Sequence, residues 1–215
     1  GMLASMRRRG PDAAGIDISD AGIIFHSSLI VIDPVNGRQP MKLKRGGEVY
    51  TIVYNGELYN TEELRQELMA AGDTFKGHSD TEVLLAAYVR WGEACLEKLN
   101  GIYAFAVLHE RERRLFAARD RMGVKPFFYT QVGSTFVFAS EIKTLLKYPG
   151  VEPVIDSHGI AELLLIGPGR TPGCGVFRDI HELRPGEYGI FECGRLECSG
   201  DAGAPSAPAA VTGCK

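Results

Sequence analysis

Between Ile102 and Ser140 the chain carries four short apolar runs, IYAFAVLHE, RLFAARD, PFFYTQ and TFVFAS, separated by the turn-forming clusters RERR, RMGVK and VGS. Runs of this length, rich in β-branched and aromatic residues and joined by so few others, are antiparallel strands. They read as a meander, and their near-continuous apolar character implies burial on both faces. A sheet buried on both faces needs covering layers, so the rest of the chain must supply them.

The flanking segments fit that requirement. MLASMRRR is the end of a helix stopped by Gly10-Pro11, and AGIIFHSSLIVID (Ala21 to Asp33) is a strand. A loop through Pro34, Asn36, Gly37 and Pro40 leads to the strand EVYTIVYN. Asn60 with Glu63 has the spacing of a capping box, opening a helix that Gly72 ends. Ser79 with Glu82 repeats the signature before DTEVLLAAYVRW, which runs to Gly92 and is apolar enough to be largely buried, and EACLEKL adds a short helix. SEIKTLLKY is read as a helix capped by Ser140, and DSHGIAELLLIG as one capped near Asp156. After the loop GPGRTPGCG, the segments FRDIHEL, RPG and EYGIFECG form a last hairpin. From Gly200 the composition turns to Ala, Gly and Pro with little to bury, so residues 1–199 read as one domain and 200–215 as a disordered tail. The fold class is α+β with layered sheets.

Composition narrows the function classes. The 215 residues carry a net charge of −3, too little to create a field for nucleic acid or an anionic membrane. MRRRG is a short solvated basic run at a helix end. No apolar run approaches the roughly 20 residues of a membrane span, and the N-terminus has no signal-type apolar region. The five cysteines are an odd count without C-x-x-C spacing; Cys193 and Cys198, in CGRLEC, are too weak a pattern to mean anything. A reducing, cytoplasmic setting with free thiols follows. The five histidines lack metal-ligand spacing, so no metal is expected.

Four places could carry chemistry. In YNGE, Asn55 offers a side-chain amide and Gly56 a bare backbone N–H; the pair reads as a hairpin tip, or as two donors able to hold an oxyanion. In GHSDTE, Asp80 sits in a first helical turn, as simple helix-start chemistry or as a carboxylate receiving an ammonium. RRGPD reads as structural pinning. In AARDRMGVKP, Arg119, Asp120, Arg121 and Lys125 read as an ion-paired strand end, with anion binding as the alternative. No serine lies in G-x-S-x-G.

Taken together and in order, RRGPD, GRQPM, VYNGELYN, SDTEVLLAAY, LNGIYAFAV, FAARDRMGVKPFFY and FASEIKTLL resemble the glutaminase domain of glutamine-dependent asparagine synthetases, a class II glutamine amidotransferase of the N-terminal-nucleophile hydrolase type. The resemblance runs from about Arg8 to Glu197. GRQPM and FASEIKTLL favour that branch over glucosamine-phosphate or phosphoribosylamine synthases. The resemblance implies a four-layer αββα sandwich of two antiparallel sheets. It also implies hydrolysis of glutamine to glutamate and ammonia by an N-terminal cysteine whose own amine is the base, with the ammonia passed to an ATP-dependent synthetase domain. By position, Asn55 and Gly56 would form the oxyanion hole. Glu57 and Asp80 would receive the substrate ammonium, and the backbone of Val31 and Ile32 would line the pocket.

The sequence departs from that pattern in three ways. No Met-Cys-Gly precedes MLASMRRRGPD, so the first strand, the nucleophile and its amine are expected to be missing, and the chain reads as truncated at both ends and inactive as it stands. In HSSLIVID, Ser28 replaces the arginine that would bind the substrate carboxylate, a charged hydrogen bond worth about 1.5–3 kcal/mol, or roughly tenfold to a hundredfold in affinity. No ATP-binding loop is present, so no cofactor is expected here; ATP and Mg would belong to the synthetase domain. The ligand class is glutamine or glutamate, and an exposed sheet edge invites a homo-oligomer. The alternative is a non-catalytic binding module that kept the fold.

Overall fold

The computed structural model describes residues 1–6, 13–28, 37–166, 169 and 171–200. In chain order the elements are α1 (Met2–Met6), β1 (Ala13–Ser19), β2 (Gly22–Ser28), β3 (Met41–Arg45), β4 (Glu48–Leu58), α2 (Thr61–Ala70), α3 (Asp80–Trp91), α4 (Cys95–Lys98), β5 (Gly101–His109) and β6 (Arg114–Arg119). Then come β7 (Phe128–Val132), β8 (Thr135–Ala139), α5 (Ile142–Leu145), α6 (Ser157–Ala161), β9 (His181–Glu182), β10 (Glu187–Glu192) and β11 (Arg195–Gly200).

The layering follows from β5. Its Tyr103, Phe105 and Val107 belong to one buried cluster, and the alternating Ala104, Ala106 and Leu108 to another. The first cluster joins the six-stranded sheet β11-β10-β6-β5-β4-β3 to α2, α3 and α4 through Leu64, Leu68, Val83, Leu84 and Leu96. The second lies between sheets, with Val53, Leu115 and Ala117 facing Ile24, Phe127 and Leu183. The facing layer has two pieces among the described residues, the hairpin β1-β2 and the three-stranded β8-β7-β9. A third cluster covers its far side, where Phe128, Val137 and Ala139 meet Leu145 of α5 and Met2 of α1. The expected αββα sandwich is therefore present, with every named strand pair antiparallel.

Several local expectations are corrected. The four runs after Ile102 form two hairpins in different sheets rather than one meander. Asp120 makes the switch: fully buried, its carboxylate accepts the backbone N–H of Tyr103 (3.3 Å), Met122 (3.1 Å), Val124 (3.0 Å) and Lys125 (3.0 Å), turning the chain out of β6 toward β7. The last hairpin is β10-β11, while β9 joins β7. Asn60 caps no helix; its side chain donates to Lys98 O (2.8 Å) and accepts from Asn100 N (3.0 Å), stapling the approach to β5. Ser79 does cap α3 through Thr81 N (3.2 Å), but Glu82 reaches past it to Lys76 N (2.8 Å) and Gly77 N (3.0 Å). Ser140 caps nothing, since α5 begins after Glu141, whereas Asp156 caps α6 through Gly159 N (2.9 Å). Strands β1 and β3 escaped the sequence reading: each pairs over a short turn, with Gly46 and Gly47 both at positive φ between β3 and β4. RRGPD and residues 201–215 lie outside the described residues, so the expected tail is not addressed; β11 extends the folded part to Gly200.

Candidate active site

Strand β4 runs unbroken from Glu48 to Leu58, pairing Asn55 with Ala104 and Gly56 with Tyr103. Asn55-Gly56 is thus mid-strand, and the hairpin-tip reading is corrected. The glycine is required by proximity and not by a positive φ. A Cβ on Gly56 would lie 2.7 Å from Tyr54 Cε2 and 2.8 Å from Tyr103 Cα, and closer still to the Ile102 carbonyl oxygen.

The register decides where the Gly56 N–H points. Tyr103 O accepts from Asp120 N at 2.8 Å, and Tyr103 N donates to the Asp120 carboxylate, so the Tyr103 backbone faces β6. Its partner Gly56 is therefore in a non-hydrogen-bonded pair with β5 and directs its N–H to the other edge of β4. Along that edge β3 covers as far as Ile52. Next, the Gln39 side chain closes Tyr54 by accepting from its N–H (2.6 Å) and donating to its carbonyl (3.0 Å). At the end, Leu58 N–H donates to Asp80 Oδ2 at 3.4 Å. The Gly56 N–H lies between these two plugs, at the wall of a cleft of about 1810 Å³.

Asn55 and Glu57 share the face of β4 that carries Val53 toward the inter-sheet side, so both present their side chains to the cleft they line. Asp80 lines the same end and accepts the Tyr54 hydroxyl at 2.9 Å. Burial first, and the Asp80 charge second, push the Tyr54 phenol far above its ordinary value, so it remains a donor to that carboxylate. Asn55, Gly56, Glu57 and Asp80, all singled out from sequence, therefore converge. Gln39, Tyr54 and Thr81, which lock them, went unassigned, although Gln39 sits in the quoted GRQPM. Its amide also donates to Thr81 Oγ1 (3.4 Å), tying β4 to α3.

Other expected positions are placed differently. Ser28 ends β2 opposite Ala13, with its side chain outside what is described, and Val31 and Ile32 lie outside the described residues. Arg119 is a structural pin: its guanidinium donates to the carbonyls of Lys125 (2.8 Å), Gly123 (2.7 Å) and Leu183 (2.5 Å) and pairs with Glu182 at 3.1 Å. With its donors so engaged, Arg119 serves the fold and not an anion, but the pair it forms is with Glu182 and not with Asp120, whose carboxylate is taken by backbone N–H groups. Of the described cysteines, Cys95 is buried among the helices, and Cys193, the one lining the cleft, sits at the β10-β11 turn. The strand register puts it six residues beyond the level of Asn55, about 20 Å along the sheet.

This sandwich, with a donor pair and two carboxylates at one end of its cleft, has the architecture of an amidotransferase. Residues 1–200 match the family described as "Glutamine amidotransferase domain", and the chain belongs to that family. Its relatives include asparagine synthetases. It is 51% identical over 184 residues to asparagine synthetase [glutamine-hydrolyzing] 3 of Bacillus subtilis (strain 168), covering 86% of this chain and 30% of that protein. It is 31% identical over 214 residues to a putative asparagine synthetase [glutamine-hydrolyzing] 2 of Methanocaldococcus jannaschii, covering 91% of this chain and 41% of the relative. The chain thus spans less than half the length of these curated relatives. Among solved structures, glutamine phosphoribosylpyrophosphate amidotransferase from B. subtilis has the same fold, with a TM-score of 0.65 at 21% identity over 93% of this chain and 45% of that one. No described helix is long and apolar enough to cross a membrane.

Proposed function

We propose that the Asn55–Asp80 end of the cleft holds glutamine and is built to stabilise the oxyanion formed when its side-chain amide is attacked, yielding glutamate and ammonia. The observation that carries this is the Gly56 N–H, left facing the cleft between Gln39 and Asp80 and beside the Asn55 amide. Two preorganised donors are worth far more to a developing negative charge than to a neutral carbonyl. Glu57 and Asp80 receive the α-ammonium. Arg38, which lines the cleft next to Gln39, offers the α-carboxylate the cation that Ser28 does not. The ammonia is consumed by an ATP-dependent, amide-forming domain of the kind implied by the asparagine synthetase relatives, in the cytoplasm, and the glutamine half itself needs no cofactor.

The described cysteines are all elsewhere, so no thiol reaches the Asn55 amide from within this polypeptide's described part. The 215-residue chain is accordingly expected to bind glutamine without hydrolysing it. Calorimetry with glutamine and glutamate should give millimolar binding, weakened about tenfold or more in Asp80→Asn and in Arg38→Ala. Glutamate release above a purified control would refute the missing nucleophile. Absence of binding at tens of millimolar would refute the pocket and favour the second reading, a non-catalytic module, which Ser28 in the arginine position supports. Self-association through the strand edges of β1-β2 or β8 belongs to the same proposal, and a monodisperse monomer in sedimentation would remove it.

A further inference from the structure

Far from the donor pair along the chain, three potential ligands converge that no short motif announces. His158 and Glu162 are four residues apart, so one helical turn stacks them on a single face. Cys174 comes from the loop that folds back over that face. One ligand atom from each of the three lies within 4.8 Å of the others, and Cys174 Sγ is 3.9 Å from His158 Nδ1.

The arrangement is held from several sides. Gly159 lets the loop approach: a Cβ there would collide with the Val176 carbonyl oxygen and lie 2.9 Å from Ile155 Cγ2. Thr171 anchors the loop to Glu162 through its N–H (2.9 Å) and hydroxyl (2.6 Å), one to each carboxylate oxygen. Glu162 is buried, and these two bonds fix its carboxylate in place. Each carboxylate oxygen keeps a further lone pair. The Cys174 sulfur accepts from Val176 N (3.4 Å), and the Cys174 backbone forms an antiparallel bridge with that of His181 in β9. The helix, the loop and β9 therefore fix the three ligands as a unit.

We infer that His158, Glu162 and Cys174 form a binding site for a zinc-type divalent cation. A thiolate, an imidazole and a carboxylate together suit zinc and exclude the all-oxygen preference of magnesium or calcium. In a tetrahedral site with Zn–S near 2.3 Å and Zn–N near 2.0–2.1 Å, sulfur and nitrogen stand about 3.6 Å apart. The present 3.9 Å closes to that by a small rotation of the exposed His158 ring. Binding requires loss of the Cys174 proton to solvent, and three protein ligands leave a fourth position for water. The bound ion would clasp α6 to the Thr171–Val176 loop.

The test is titration of the 215-residue chain with cobalt(II) and zinc, alongside Cys174→Ser, His158→Asn and a Cys193→Ser/Cys198→Ser/Cys214→Ser control. The expected result is one metal per chain, a thiolate-to-cobalt charge-transfer band retained in the triple control and lost in Cys174→Ser, and affinity lowered about tenfold or more in His158→Asn. Zinc should also raise the melting temperature of the parent and the control but not of Cys174→Ser, which gives a readout independent of spectra. Circular dichroism of the metal-free variants verifies folding; Cys174 and His158 are not core residues. No stoichiometric binding at micromolar zinc, or binding unchanged by Cys174→Ser, would overturn the inference.

Discussion

Replacing Gly56 by alanine tests the reasoning on which the donor pair rests. The added methyl would lie 2.7 Å from Tyr54 Cε2 and 2.8 Å from Tyr103 Cα, against an ordinary carbon–carbon contact of about 3.5–4.0 Å. The shortfall is at least about 0.7 Å, and the closest obstacle is backbone, the Ile102 carbonyl oxygen, which cannot rotate away. Relief requires β4 and β5 to separate where Gly56 and Tyr103 pair, in the interior of the six-stranded sheet. Overpacking of this kind costs about 1–3 kcal/mol, and the backbone obstacle places Gly56→Ala at the upper end, about 2–3 kcal/mol. For a chain of this size that lowers the melting temperature by about 4–12 °C. Gly22→Ala is the matched control: it also lies in a strand, its φ is not positive, and a Cβ there meets nothing within 4 Å, so its effect should stay within about 1 kcal/mol. Urea denaturation of the three proteins gives the comparison. If Gly56→Ala falls within about 0.5 kcal/mol of the parent, the strands do not approach as described and the orientation assigned to the Gly56 N–H is wrong.

Asp120→Ala should destabilise by about 3–5 kcal/mol, because it strips a buried carboxylate from four backbone N–H groups; equilibrium unfolding with an effect under about 1 kcal/mol would show that the sheet-to-sheet switch does not depend on it. Burial lowers the His26 imidazole to about 4, so the unfolded chain takes up the proton first as the pH falls; stability should drop between about pH 6.5 and 4 and level off below. That loss is at most about 3 kcal/mol, reduced by the water that reaches the cleft the ring lines, and His26→Gln should flatten it in urea melts across this window. Gln39→Ala should weaken glutamine binding several-fold by freeing the Tyr54 backbone, with the change confined to affinity; unaltered calorimetry would reduce Gln39 to a surface contact.

Much of this molecule is legible along the chain because its causes are local. The α3 helix shows itself by an apolar pattern between a Ser79 cap and Gly92 at positive φ. The strands after Ile102 show themselves by composition and turns, and the site residues by a run of motifs with family-specific spacing. What the chain alone left open depends on partners distant in sequence. Asn55-Gly56 has the local signature of a tight turn, yet pairing with β5 stretches it into a strand, and the close approach of Ile102 and Tyr103 is what demands glycine there. Asn60 has the signature of a cap, but Lys98 and Asn100, brought alongside by the fold, compete successfully for its amide. The strands of the expected meander separate into two sheets because a buried Asp120 gathers four backbone donors that sequence spacing does not reveal. The His158–Glu162–Cys174 cluster depends on a loop return across Gly159. Propensity and periodicity act over a few residues and can be read directly. Which donor meets which acceptor, and which face meets the cleft, is set by packing across the sheets, and only the tertiary structure decided it.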